Sequence, residues 1–139
     1  MIKQLKGFVD SDIQITAELV NAHLADTDAH IPSVIRKSAT TTLTTEECSH
    51  GNYILVDGAY TITLDAVANL ENGTTITLYS EAASVLTVAP NSSDSIRILG
   101  SQKTDGTSIA SGGTLGASIT VFVDSADGWS VLNSQGTWT

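Results

Sequence analysis

From about residue 39 onward, apolar and polar residues alternate one for one, and that period leaves few folds open to the chain. In AYTITLDA, Tyr60, Ile62 and Leu64 share one face while Thr61, Thr63 and Asp65 share the other. TTITLYS repeats the scheme, with Ile76 and Leu78 set against Thr75, Thr77 and Tyr79. LTVAP, SIRILG and SITVFVDS continue it through Leu86 and Val88, Ile96 and Ile98, then Ile119, Val121 and Val123. Strict alternation of this kind marks strands with one buried face. NYILVDG, WSVLNS and ATTTLT add further strands. Threonine, valine and isoleucine suit them, because branched side chains fit a pleated, half-buried surface.

The punctuation agrees. Asp57-Gly58 stands between NYILV and AYTITL, and Asp127-Gly128 between VFVDSA and WSVL. Glycine supplies the positive φ of two-residue hairpin turns, so both positions predict hairpins. Asn72-Gly73 marks a third turn, and SQKTDGTSIASGGTLGAS reads as a long surface loop or short irregular strands. No internal repeat is evident. Short strands broken by turns every eight to twelve residues or so predict a mainly β fold, an antiparallel β-sandwich or jelly-roll-like domain over residues 39–139.

Ahead of it, the period changes. Ile13, Ala17, Val20, Leu24, Thr27, Ile31 and Val34 are spaced four and three apart, as in a heptad seam. TAELVNAHLA predicts a short helix with Thr16 or Asp12 as N-cap, ending near DTDAHIP, where Asp26, Asp28 and Pro32 disfavour continuation. So short a helix is marginal alone in water. It either packs on its own domain or bundles with identical helices, in which case Ile13, Val20, Leu24 and Ile31 form a trimer interface. Residues 1–38 are thus expected to be an arm with a short helix.

The chain has 139 residues, enough for one domain and a short appendage. Fifteen acidic residues against six basic ones give a net charge of −9, which repels a phosphate backbone and excludes nucleic acid as the expected partner. The imbalance is uneven: residues 1–37 hold four basic and five acidic groups, residues 38–139 two and ten. MIKQLKGFVDSD lacks the apolar run and small-residue cleavage site of a signal peptide, and no stretch is apolar enough to span a bilayer. The expectation is a protein made in a cytoplasm, without a membrane partner.

Two tryptophans stand close to the C-terminus, Trp129 and Trp138, in a chain poor in aromatics. Burying each indole is worth about 2–3 kcal/mol, so both are expected to close the β core; the alternative is an exposed platform for sugar stacking. His23 and His30, with Asp26 and Asp28 between them, read as solvated groups at the helix end, since metal ligands cluster more tightly. Cys48 and His50 could pair as thiol and imidazole, yet nothing nearby marks an oxyanion hole or an orienting third group, so Cys48 reads as a half-buried thiol in a turn. No phosphate loop, HExxH or GxSxG pattern is present. No catalytic residue, metal site or cofactor is expected.

GNYILVDGAYTITLDAVANLENGTTITLYSEAASVLTVAP, then DSIRILGS, then SITVFVDSADGWSVLNSQGTWT, resembles the small β-structured knob or head modules of tailed-bacteriophage fibres and decoration proteins. The most distinctive part is the closing GWSVLNSQGTW, and HLADTDAHIPSVIRK is similar to segments that join shafts to knobs. The resemblance implies a non-enzymatic virion structural protein, a homotrimer whose N-terminal segment attaches to the particle. With about 38 residues before the β region, a compact decoration (head-fibre) protein on the capsid surface fits better than a long fibre. Its partners would be copies of itself and the major capsid protein or another virion protein. Ile2, Leu5, Phe8 and Val9 would face the particle. Few large core residues make a weak monomer, so copies are expected to complete the interior. The alternative is a tail-fibre or receptor-binding module for host surface glycans, with a cleft around Tyr53, Tyr60, Tyr79 or Trp138. A polysaccharide-cleaving enzyme ranks third.

Overall fold

The alternating segments form strands of two facing sheets in a computed structural model, which describes residues 31–125 and 127–139. Of the arm residues named above, Ile2, Leu5, Phe8, Val9, Ile13, Val20 and Leu24 lie outside the described residues, as do His23, Asp26, Asp28 and His30. Residues Pro32–Thr139 make one compact unit. Its first strand begins at Val34, ahead of residue 39, so the segment that continues the heptad spacing on paper is extended here.

Up to Ala89 the chain passes back and forth between the sheets. Strands β1 (Val34–Lys37), β3 (Tyr53–Val56) and β5 (Thr75–Ser80) belong to a large sheet; β2 (Thr41–Thr42), β4 (Thr61–Thr63) and β6 (Thr87–Ala89) belong to a small one. Each passage lays a strand parallel to the previous one in the same sheet, giving three coils of a short solenoid. Inward side chains then stack in rows across the strands: Ile35, Ile54 and Leu78 on one side, Ile62 and Val88 on the other.

The rest of the chain closes this stack. β7 (Ser95–Ile98) and β8 (Ser101–Gln102) form a hairpin at one edge of the large sheet, and β9 (Ile109–Ala110) joins the small sheet. β10 (Ser118–Ser125) and β11 (Gly128–Gln135) form a long hairpin inserted between β5 and β7. The large sheet therefore runs β1-β3-β5-β10-β11-β7-β8 and the small one β2-β4-β6-β9. β10 extends the inner rows, with Ile119 beside Leu78 and Val121 beside Ile76.

The fold is mainly β, as expected, but the sheets are mixed rather than antiparallel: among the described residues, five of the nine strand pairings are parallel. The Asp57-Gly58 turn is not a hairpin. It carries the chain from β3 in the large sheet to β4 in the small one. Asp57 N–H donates to the Lys37 carbonyl of the preceding coil, and the Tyr60 ring lies over Gly58, where a Cβ would come within 2.6 Å of it. The Asp127-Gly128 turn does join a hairpin, β10–β11.

The single chain has a continuous interior of its own among the described residues. Twenty buried apolar residues form one continuous cluster, among them Leu43, Ile54, Ile76, Ile96, Ile109 and both tryptophans. Trp129 lies against the row of Val123 and Ile96. Trp138 is 6% exposed, and its indole N–H donates to the Gln135 carbonyl at 3.1 Å. Thr139 and Ala110 exchange both backbone hydrogen bonds, and Gly112 N–H donates to the Thr137 carbonyl, so the last residues dock as an extra rung beside β9.

Candidate functional site

A cleft of about 550 Å³ opens at the N-terminal ends of β3 and β5. One wall is the turn Ser49–Gly51 that leads into β3; the other runs from Asn69 through Glu71 and Gly73 into Thr75 at the start of β5. Two neighbouring parallel strands must each be entered at the same end, so the loops that feed them meet there.

The first wall follows from a local signal. Thr44 and Glu47 form a capping box on helix α1 (Thr45–Cys48): Glu47 N–H donates to Thr44 Oγ1 at 3.1 Å, and Thr44 N–H to Glu47 Oε2 at 3.0 Å. After one turn the chain reverses through two left-handed residues, His50 at φ 62° and Gly51 at φ 69°. Histidine adopts this conformation at a cost of about 1–2 kcal/mol. The turn sends the imidazole outward, with Nε2 4.0 Å from Glu46 Oε1. The second wall is a 3₁₀ turn (Val67–Asn69) followed by the Glu71–Thr74 turn, in which Gly73 takes φ 87°. Asn69 Nδ2 donates to Asp65 Oδ1 at 3.0 Å, and Thr74 Oγ1 to the Glu71 carbonyl at 2.6 Å.

Two carboxylates of the segments leading into these walls are held ionised. Burial works to raise Asp65, but hydrogen bonds from Thr45, Asn69 and the Ala66 N–H outweigh it and leave its pKa below the ordinary value. Burial also opposes ionisation of Glu47, and the Lys37 ammonium 2.5 Å away, with Thr44, turns the balance downward.

Cys48 and His50 do not pair. The Cys48 side chain is wholly buried in the core, and burial pushes its thiol up to about 11, with Asp65 and Glu47 adding to the rise. A protonated, enclosed thiol is no nucleophile. It lies fully within the core, deeper than the half-buried turn position expected of it. Among the described residues no three His, Cys, Asp or Glu side chains are grouped to hold a metal ion, and no helix is long and apolar enough to cross a membrane.

The outer face of the large sheet adjoins the cleft. In β3 and β5 the inward residues are Ile54, Val56, Ile76 and Leu78, so Tyr53, Leu55, Thr75, Thr77 and Tyr79 point the other way. Tyr53 is 46% and Tyr79 39% exposed. The register pairs Tyr53 with Thr77 and Leu55 with Tyr79, which puts the two tyrosines diagonally about 8 Å apart on this face. Thr77 and Thr120 share a hydrogen bond of 2.9 Å between them and β10. Thr75 belongs both to this face and to the cleft lining. Tyr79 leans away, its hydroxyl over Gly116, so Tyr53 is the tyrosine on the cleft side. Of the other aromatics named for a sugar platform, Tyr60 is half-buried against the core and Trp138 is buried in it. Neither offers a free ring face.

A second surface feature lies where β7 and β11 part. They pair only as far as Ser130 with Arg97. Two residues beyond that rung, Leu99 is 92% exposed and Leu132 64% exposed. Leu99 also sits at φ 51°, in the two-residue turn Leu99-Gly100 between Ile98 and Ser101. Ile31 is exposed too, at 65%.

The phase of Tyr79 with Thr75 and Thr77 was readable from alternation. The cleft was not, because its walls are 20 residues apart and meet only through parallel pairing of β3 and β5. No protein-family model matches this chain, and no curated protein is similar to it.

Proposed function

We propose that this chain is a non-enzymatic structural subunit of a tailed-bacteriophage particle, a homotrimeric decoration (head-fibre) protein on the capsid surface. Residues 1–31, ahead of the β unit, attach it to the major capsid protein or another virion protein, and the unit from Pro32 onward projects. The likeness of GNYILVDGAYTITL through GWSVLNSQGTW to phage knob and decoration modules supports the particle assignment.

The observation that carries self-association is the leucine pair at the parting of β7 and β11. Of the large apolar side chains that stay exposed, Val34, Val85 and Leu115 among them, Leu99 stands furthest into water, and Leu132 lies just past the same rung of β7 and β11. Leu99 is exposed in a turn position that asparagine would fill with less strain. Local strain and apolar exposure at one spot are retained where a contact repays them. Beside them, among the described residues, β11 from Val131 to Gln135 has a strand partner on one side only. An unpaired strand edge flanked by leucines is suited to a neighbouring copy.

Sedimentation of the full chain at micromolar concentration tests this. The wild type is expected as a trimer, and the double variant Leu99→Asn, Leu132→Ser as a folded monomer. A wild-type monomer at all concentrations overturns self-association. Electron microscopy of phage heads lacking this subunit, after adding it back, tests the particle assignment. The full chain is expected to restore surface density and a chain lacking residues 1–31, which keeps β1, to leave the heads bare. Normal decoration by the truncated chain overturns the anchoring role.

A further inference from the structure

We propose that the cleft between the Ser49–Gly51 turn and the Asn69–Thr75 segment, with Tyr53 on the adjoining sheet face, binds a neutral oligosaccharide. The inference goes beyond self-assembly and does not depend on it.

Size sets the scale. A volume of about 550 Å³ is in the range of small-molecule sites. The chemistry of the lining then removes most ligand classes. No lysine or arginine lines the cleft, while Glu71 does, and Glu46 stands beside His50. In a chain of net charge −9, an anion such as a phosphate or a sialic acid meets a net unfavourable field there, with no lysine or arginine to offset it. A metal ion finds too few ligands, since no group of three is formed among the described residues. An apolar ligand finds a single large apolar side chain, Leu70.

What remains are groups that bind hydroxyls. The Glu71 carboxylate accepts from them, and the Asn69 amide and His50 imidazole have donors to offer. Gly51 and Gly73 leave the backbone of both walls open: a Cβ at Gly73 would meet no atom within 4 Å. A chain of sugar rings needs such alternating donors and acceptors along its edge and an aromatic face for its C–H surface. Tyr53 supplies that face. It lies two residues beyond Gly51, in register with Thr77, while Thr75 carries the surface from the cleft onto the sheet. A tyrosine half out of water presents an apolar ring and a polar tip together, as sugar recognition requires. The left-handed His50 fits the same reading, because a strained residue stands in the turn that forms one wall of the cleft.

The test is saturation-transfer NMR on the full-length protein with maltohexaose, chitotetraose and a galacto-oligosaccharide as neutral probes and 3′-sialyllactose as the anionic one. At least one neutral probe is expected to receive saturation, and sialyllactose none. Tyr53→Ala and Thr75→Val are each expected to weaken that binding about tenfold or more. Both positions are on the outer face, and an unchanged thermal unfolding midpoint confirms that the variants fold. Leu99→Asn is expected to leave sugar binding intact, which separates this site from the self-association surface. The proposal is overturned if no neutral probe binds at about 10 mM, if sialyllactose binds in preference, or if both folded variants bind as the wild type does.

Discussion

Gly128 shows how tightly single residues are specified. It enters β11 against Ser95 of β7, and a Cβ there would lie 2.1 Å from the Ser95 carbonyl oxygen and 2.8 Å from its nitrogen. Both obstacles are backbone, so the strands themselves would have to part. Gly128→Ala is expected to cost about 3 kcal/mol or more in urea unfolding, well above the effect of Gly73→Ala, whose cost is only that of its left-handed φ. Glu47 and Asp65 make a pH prediction of definite sign. Each has a folded pKa below its unfolded one, so each stabilises fully above the unfolded value of about 4 and loses that stabilisation as pH falls through the lowered folded value. The urea midpoint is expected to stay level from neutrality to about pH 5 and to drop below about pH 4. Glu47→Gln and Asp65→Asn should each flatten that drop; a drop of equal steepness in both variants would assign it to other groups.

At the scale of elements, the β7–β8 hairpin is the place where local preference and observed residue disagree. Its two-residue turn holds Leu99 and Gly100 at φ 51° and 78°, the geometry that asparagine-glycine adopts most readily. Leu99→Asn relieves the strain and removes an apolar side chain from water. It is expected to raise the stability of the subunit by about 0.5–1 kcal/mol, read from urea unfolding at a concentration too low for association. The same scale shows why strands were legible in the sequence and their partners were not. Alternation of Tyr60, Ile62 and Leu64 announces a strand with one wet face, and Ile62 and Leu64 are indeed buried. That pattern is identical whether the next strand returns beside it or crosses to a facing sheet. Asp57-Gly58 and Asp127-Gly128 look alike as dipeptides, yet one crosses between sheets and the other closes a hairpin. What separates them is tertiary: the Lys37 carbonyl awaiting Asp57 N–H in the first case, and β5 and β7 flanking β10 and β11 in the second. The coil repeat hid for the same reason. Val34–Thr42, Tyr53–Thr63 and Thr75–Ala89 each comprise strand, link and strand, but the links differ in length and the residues differ in kind. The candidate site inherits this limit, since parallel pairing alone brings Gly51 to Thr75.

For the whole molecule the question is which parts the fold needs. The stacked coils bury Ile54, Ile62, Leu78 and Val88 in one interior, and among the described residues every member of it lies in the compact unit from Pro32 onward. The last four residues are part of it. Gly136 packs against Ala117, Trp138 fills the core, and Thr137 and Thr139 complete the backbone pairing of Gly112 and Ala110. Removing them takes a buried tryptophan out of the core and strips β9 of its outer neighbour. The two ends of the chain should therefore respond to truncation in opposite ways. Deleting residues 1–31 is expected to leave the urea midpoint of a dilute sample within experimental scatter of the full chain. Deleting residues 136–139 is expected to lower stability by about 3–5 kcal/mol, the cost of losing a buried tryptophan, or to abolish cooperative unfolding altogether. Circular dichroism across a urea series distinguishes the outcomes. If both deletions prove equally mild, the C-terminal rung is not the closure of the core, and the docking of Thr139 beside Ala110 contributes nothing measurable to it.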